Sequence, residues 1–363
     1  MFPRTAVRIM VVVWQIVTQF AYIAGSVYPD VYEDFLAKIS LVNLDVGRIL
    51  SYSCIMDTDF YVRLVVATVS PFLVLGILGG TYVIARKRNW RSDQAILAAR
   101  HKHLSAALFV AFFVYSSVSH TIFQTYACEE LDTGTFLRAD YSLTCTTAKH
   151  KAYMLYAAVM VVVYPIGIPA VFVWLLGRNR QDLKSGRRED MAHLEPLHDL
   201  WVPYKPSRYF FEVVECARRV TLTGITVFVF PNTAAQIAVV LLLAVVFLFL
   251  TESLSPFAKS VDMRLYRWGN AIVIGSMYLA LLQTVDVSSE NNQSASAFSG
   301  VLIAAHIFMI LTVAVQSIVF VEGWNSVRKL VVTDRPVVRR DWSSRDLSTV
   351  GELEVQDWDS PTP

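Results

Sequence analysis

Charge is what this sequence has least of. Charged residues make up 17% of its 363 positions, where a soluble domain carries roughly a quarter, and 55% are hydrophobic. The shortage is gathered into blocks of about 20 residues whose surface water would not solvate, so a soluble globular chain is excluded and lipid is the natural solvent. The short signatures of enzyme chemistry are missing too. There is no His-Glu-x-x-His, Gly-x-Ser-x-Gly, P-loop or dinucleotide fingerprint, and no lysine lies deep in an apolar block where a retinal Schiff base would form. Neither an enzyme nor a bound cofactor is expected. His120 and His306 fall in different blocks at unequal depths, which argues against a pair of haem ligands. The chain has no glycine at position two for myristoylation and no carboxy-terminal Cys motif, so it reads as spanning a membrane rather than anchored to one. The net charge of +2 comes from basic loops and carries no signal for nucleic acid.

What is present is a series of long apolar runs. They lie near positions 7–25, 61–85, 104–126, 152–176, 210–230, 234–257, 268–287 and 298–321, each long enough for a hydrocarbon core of about 30 Å. The start, Met1-Phe2-Pro3-Arg4, leaves too little polar sequence for a soluble amino-terminal domain, and the run after Arg8 reads as an uncleaved signal anchor. The expectation is an all-α membrane protein, a bundle of about eight transmembrane helices over 1–326, with 327–363 a mostly disordered cytoplasmic tail.

The loops give an independent check, because short cytoplasmic loops carry an excess of Lys and Arg. Arg86-Lys87-Arg88 follows the second run, Arg178, Arg180 and Lys184 the fourth, Lys259, Arg264 and Arg267 the sixth, and Arg328 and Lys329 the eighth. The first and third loops are acidic instead, with Asp30, Glu33 and Asp34 in one and Glu129, Glu130 and Asp132 in the other. Both termini are therefore expected in the cytoplasm, in a plasma membrane or endomembrane. The sequon at Asn292 falls in an outer loop and is a candidate glycosylation site. Of the four cysteines, Cys54, Cys128 and Cys145 share the outer side, where disulfides persist, and Cys216 lies within the fifth run. A bridge between Cys128 and Cys145 would clip one loop. Cys54 as a partner, or free thiols, remains open at this point.

Ionisable groups inside a membrane cost about 2.5–3.5 kcal/mol each on insertion scales, so their presence is informative. The fifth run holds Glu212, Glu215, Arg218 and Arg219, with Glu215 at helical spacing from both arginines. Two readings fit: an ion path or salt-bridged gate, and a structural staple between helices with snorkelling arginine stems. The fourth run contains Pro165, Gly167 and Pro169, which remove backbone donors and predict a kinked fourth helix, a candidate hinge. In the long first loop, Val31, Phe35, Leu36 and Ile39 predict a short amphipathic helix capping the bundle or lying along its outer interface.

Several of these stretches together resemble a large family of multi-pass proteins in algae, diatoms and oomycetes whose membrane module is described as TRP-like. The matching residues are Val42-Asn43-Leu44-Asp45, Cys54 and Asp59-Phe60-Tyr61, then Cys128 through Asp132 with Ala139 through Cys145. Tyr164 to Pro169 and Tyr204-Lys205-Pro206, Glu212, Glu215, Arg218-Arg219 and Leu222-Thr223-Gly224 complete the pattern. The resemblance implies a module that commonly follows large extracellular repeat or Cys-rich domains, and with none ahead of the first helix here it implies a stand-alone member or an incomplete gene model. A tetrameric TRP-type filter does not fit between the fifth and sixth runs, which only Pro231-Asn232-Thr233 joins. The leading expectation is a TRP-like cation channel or sensory membrane protein; the alternatives are a non-conducting receptor or scaffold and a small-solute carrier. The expected partners are the lipid bilayer, ions or small solutes and further copies of the chain, and not nucleic acid.

Overall fold

The computed structural model describes residues 4–24, 28–43, 59–89, 92–185, 192–231, 233–285 and 292–333. Cys54 and the tail beyond 333 lie outside them. By internal contacts the chain divides into two units, Met1–Phe320 and Val321–Pro363.

Helix α1 spans Arg4–Ala24 and α2 spans Asp30–Ile39; α3 covers Phe60–Arg88 and α4 covers Asp93–Gln124. A three-stranded antiparallel meander follows, β1 Cys128–Leu131, β2 Gly134–Leu137 and β3 Asp140–Thr144, in the order β1-β2-β3. Helix α5, Ala148–Val161, passes through a π-helical turn at Val162–Ile166 into α6, Gly167–Arg178. Two short helices, α7 at Arg180–Ser185 and α8 at His198–Trp201, lead to α9, Phe211–Thr223. The last three are α10, Ala234–Leu254, α11, Ser260–Thr284, and α12, Asn292–Thr333.

Each of the eight apolar runs overlaps a helical segment among the described residues. Among the described residues, five helices are long and apolar enough to cross a membrane: Phe60–Arg88, Asp93–Gln124, Ala148–Arg178, Ala234–Leu254 and Ser296–Val319. These are the spans of a multi-pass integral membrane protein. Thr5–Ala21 is a shorter apolar helix, and α9, with 13 residues, extends only about 20 Å.

The spanning helices wear their apolar side chains outward, as a lipid solvent demands. Leu73, Ile77, Leu155, Leu242 and Phe249 are each at least 60% exposed. The interior is mainly apolar, but it also encloses polar side chains, among them Gln15, His150, Arg219 and His306. Helix α9 packs against α1, α4, α6, α8 and α10, and α1 lies along α11. That last approach depends on Gly269, where an added Cβ would stand 2.5 Å from Val13 Cγ2.

The outer parts hold the ends of the bundle. In α2 the buried residues are Tyr32 and Leu36, whereas Val31 is 62% exposed, so the buried face is turned one residue from the apolar stripe read in the sequence. The Tyr32 hydroxyl lies 2.7 Å from Ser276 Oγ on α11 and 3.2 Å from His306 Nε2 on α12, which makes α2 a cap. Buried Asn43 donates to Thr18 Oγ1 at 2.9 Å and accepts from Gln19 Nε2 at 3.2 Å, fastening the end of the same loop to α1. The meander was not foreseen in the third loop. Its strands are four or five residues long, too short for a period-two signal, and Leu137 anchors it in a cluster with Phe60, Tyr61 and Leu64.

Candidate functional site

The four charged residues of α9 form one buried network. Glu212, Glu215, Arg218 and Arg219 are each no more than 5% exposed, and Arg219 is entirely enclosed. Glu215 and Arg218 make a fork-to-fork pair: Arg218 Nε donates to Glu215 Oε2 at 3.0 Å and Nη2 to Oε1 at 2.7 Å. Arg219 departs from the spacing argument. Its Nε is 4.0 Å from Glu215, while Nη2 donates to Glu212 Oε1, a full two turns earlier, at 3.3 Å. Its Nη1 donates to the Phe112 carbonyl of α4 at 3.2 Å.

A fifth charge completes the set. Arg8 enters from α1 and places Nη2 3.0 Å from Glu212 Oε2, with Nη1 donating to the Asp199 carbonyl in α8. Both Arg8 and Arg219 also approach the Phe112 ring, at 4.0 and 4.2 Å from its centroid. Three neutral side chains add further hydrogen bonds to the set. Tyr204 OH donates to Glu212 Oε2 at 3.0 Å, Tyr266 OH donates to Glu215 Oε2 at 2.8 Å, and Arg218 Nη1 donates to Asn270 Oδ1 at 3.0 Å.

Local sequence explains how these partners are held. Tyr204 and Phe257 pair as an isolated antiparallel bridge, with Lys205 N donating to Pro256 O and Ala258 N to Pro203 O. Prolines on both strands suit a bridge this short, because it needs few donors. Tyr266 and Asn270 sit one turn apart on α11 and face the same way, and Asn270 Nδ2 donates to the Tyr266 carbonyl at 2.9 Å. The cavity enclosed among Arg8, Glu212, Glu215 and Arg218 has a volume of about 30 Å³, room for one water or so. The network is tightly filled.

The sequence pointed to the α9 residues and missed Arg8, Tyr204, Tyr266, Asn270 and Phe112. Arg8 carried a usable signal, since it is the lone basic residue inside an apolar stretch that continues to Ala24.

The other candidates lie elsewhere. Pro165 is within the π-helical turn, whose carbonyls are partly re-engaged from neighbouring helices: Tyr115 OH donates to Pro165 O at 3.5 Å. Gly167 begins α6, and a Cβ there would stand 3.0 Å from the Val162 carbonyl oxygen; Pro169 follows in the first turn. His120 and His306 are engaged separately, with Thr223 O and Tyr32 OH. Cys128 and Cys145 are joined in a disulfide, and buried His150 places Nε2 3.6 Å from Cys128 Sγ. These three residues have the types of a metal set, but sulfurs bonded to each other are not thiolate ligands. Asn292 opens α12, and its side chain is outside the described residues.

Against known proteins, the chain is 28% identical over 210 residues to Cysteine repeat modular protein A of Toxoplasma gondii. The match covers 53% of this chain and 6% of that protein's length. No family model matches, and no solved structure does.

Proposed function

We propose that this chain is the eight-span membrane module of a TRP-like sensory or cation-permeable protein, and that the Arg8/Glu212/Glu215/Arg218/Arg219 network is the latch that holds it shut. The reading rests on one observation: two acids and three arginines, nearly all enclosed, join α1, α4, α9 and α11 with every charge engaged. A buried ion pair is a poor device for stability alone, since apolar replacements of similar volume are often as stable, so its use at the meeting point of four helices suits a registry or switching role. The π-helical turn at Val162–Ile166 supplies a second place where a helix is able to change conformation. The similarity to a protein whose name records cysteine repeats supports reading the chain as a membrane module of the kind that accompanies such domains.

Purified chain in liposomes tests this. Cation flux is expected to be low for the native chain and to rise when Arg218 and Arg219 are changed together to Gln in protein that still elutes as a folded species. A non-conducting receptor or scaffold is the second reading, favoured by the 30 Å³ cavity at the network. Absence of flux in the native chain and in the latch variant, under every ionic condition, with specific ligand binding by the outer loops, would establish that reading instead.

A further inference from the structure

A large cavity outside the latch lies between α1, α3 and α4, beside the segment that carries Glu195, His198 and Asp199. Its volume is about 910 Å³, at the upper end of the range for small-molecule pockets. The walls change character along one helix face. Lys102, Ala106, Phe109 and Phe113 succeed one another on α4 at spacings of three and four residues, so the lining runs from a cation into aromatic surface. From Lys102 to Phe113 the axial rise is about 16 Å, close to the depth of one leaflet of a hydrocarbon core about 30 Å thick. Val74 and Leu78 of α3 form the facing apolar wall, and Phe109 and Val74 are both more than 40% exposed, open toward lipid.

Polar groups of both signs gather at the shallow end. His101 Nδ1 is 3.2 Å from Glu195 Oε2, His198 Nδ1 is 3.3 Å from Asp199 Oδ1, and Lys102 and Arg8 add two cations. The mouth thus carries two acids and two permanent cations. A purely anionic headgroup would meet the acids, and an uncharged lipid would leave the mouth unused. A phosphate beside an amine matches both signs.

We propose that this groove is a binding site for one phospholipid with a zwitterionic headgroup, in the leaflet at the Arg86–Arg88 end of α3. Lys102 receives the phosphate; Glu195 and Asp199 receive the amine; an acyl chain lies between Val74 and Phe113. The site stands independently of the latch reading, because its test measures lipid contact and not flux.

The full chain is reconstituted in phosphatidylglycerol vesicles doped with photoactivatable phosphatidylethanolamine, or with diacylglycerol or phosphatidylglycerol probes of the same acyl chain. Labelled peptides are then mapped. The phosphatidylethanolamine probe is expected to label the Val74 and Phe109–Phe113 peptides about tenfold more than diacylglycerol, the effect of one added charge-assisted hydrogen bond. Ala106→Trp, which fills the groove, and Lys102→Glu, on an exposed position, should each remove that excess while labelling around Leu242 and Phe249 stays constant. Equal labelling by diacylglycerol, stronger labelling by the anionic probe, or groove labelling no denser than at Leu242 and Phe249 would overturn the proposal.

Discussion

Arg8 and Glu212 meet at 3.0 Å although one opens the first helix and the other begins the ninth. Glu212 accepts at the same time from Tyr204 and Arg219, so partners from α1, a loop and its own helix converge on it. Removing it takes the paired carboxylate from Arg8 and the nearer one from Arg219; removing Arg8 leaves Glu212 with Tyr204 and Arg219.

The two substitutions should therefore differ. Arg8→Ala is expected to cost about 3–5 kcal/mol, the usual penalty for breaking a buried pair, and Glu212→Ala more than that. The double variant should cost less than the sum, with a coupling of about 0.5–3 kcal/mol. Equilibrium unfolding in detergent on all four proteins measures this. Simple additivity would show that the contact is incidental.

Gly224 ends α9 where the chain presses on α4. A Cβ at this position would lie 2.5 Å from Phe123 Cδ2 and 2.9 Å from the Val220 carbonyl oxygen. Gly224→Ala is expected to destabilise the protein by about 1–3 kcal/mol through overpacking. Phe123→Leu in the same chain should relieve only part of the loss, because the ring is able to yield and the backbone oxygen is not. A thermal melt of the single and double variants decides between these contributions.

Asp59 immediately precedes the spanning helix α3 and caps it, accepting from Val62 N at 2.9 Å and holding Lys149 Nζ at 3.1 Å. Burial by itself would raise its carboxyl, but the Val62 N–H and the Lys149 ammonium outweigh that and hold it below the ordinary carboxylate range. A carboxyl lowered by folding contributes its stability in full above its unfolded value, near pH 4, and loses it as pH falls through the folded value. The melting temperature of the native chain should accordingly drop below about pH 4 more steeply than that of Asp59→Asn. Parallel pH profiles for the two would refute the assignment.

How much of this was legible beforehand depends on the range of each interaction. The apolar runs, the basic loops and the four charges of α9 stand in contiguous sequence, so composition and helical spacing reach them. The Glu215–Arg218 pair is separated by three residues and was visible for that reason; the Glu212–Arg219 pair, two turns apart, was not. The kink expected at Pro165 is a separate matter: the structure has a π-helical turn at Val162–Ile166 there, a hydrogen-bonding pattern that the sequence does not specify. Tyr32 was hidden because it lies one residue from an apolar stripe that looked sufficient, and its polar hydroxyl is buried only because Ser276 and His306 wait for it.

By itself the sequence determined that this is a helical protein of the membrane, since a backbone in lipid must satisfy its own hydrogen bonds and blocks of apolar residues leave it no other solvent. It also determined which of the apolar runs carries a cluster of charges. Only the tertiary structure decided what the charge does there. Neutralising Glu212 takes Arg8 from α1, Tyr204 from a loop and Arg219 from its own helix, and no local pattern records a meeting of groups so distant along the chain. The same packing sets the polar end of the α1, α3 and α4 groove beside Arg8, an arrangement that exists only once the helices have met.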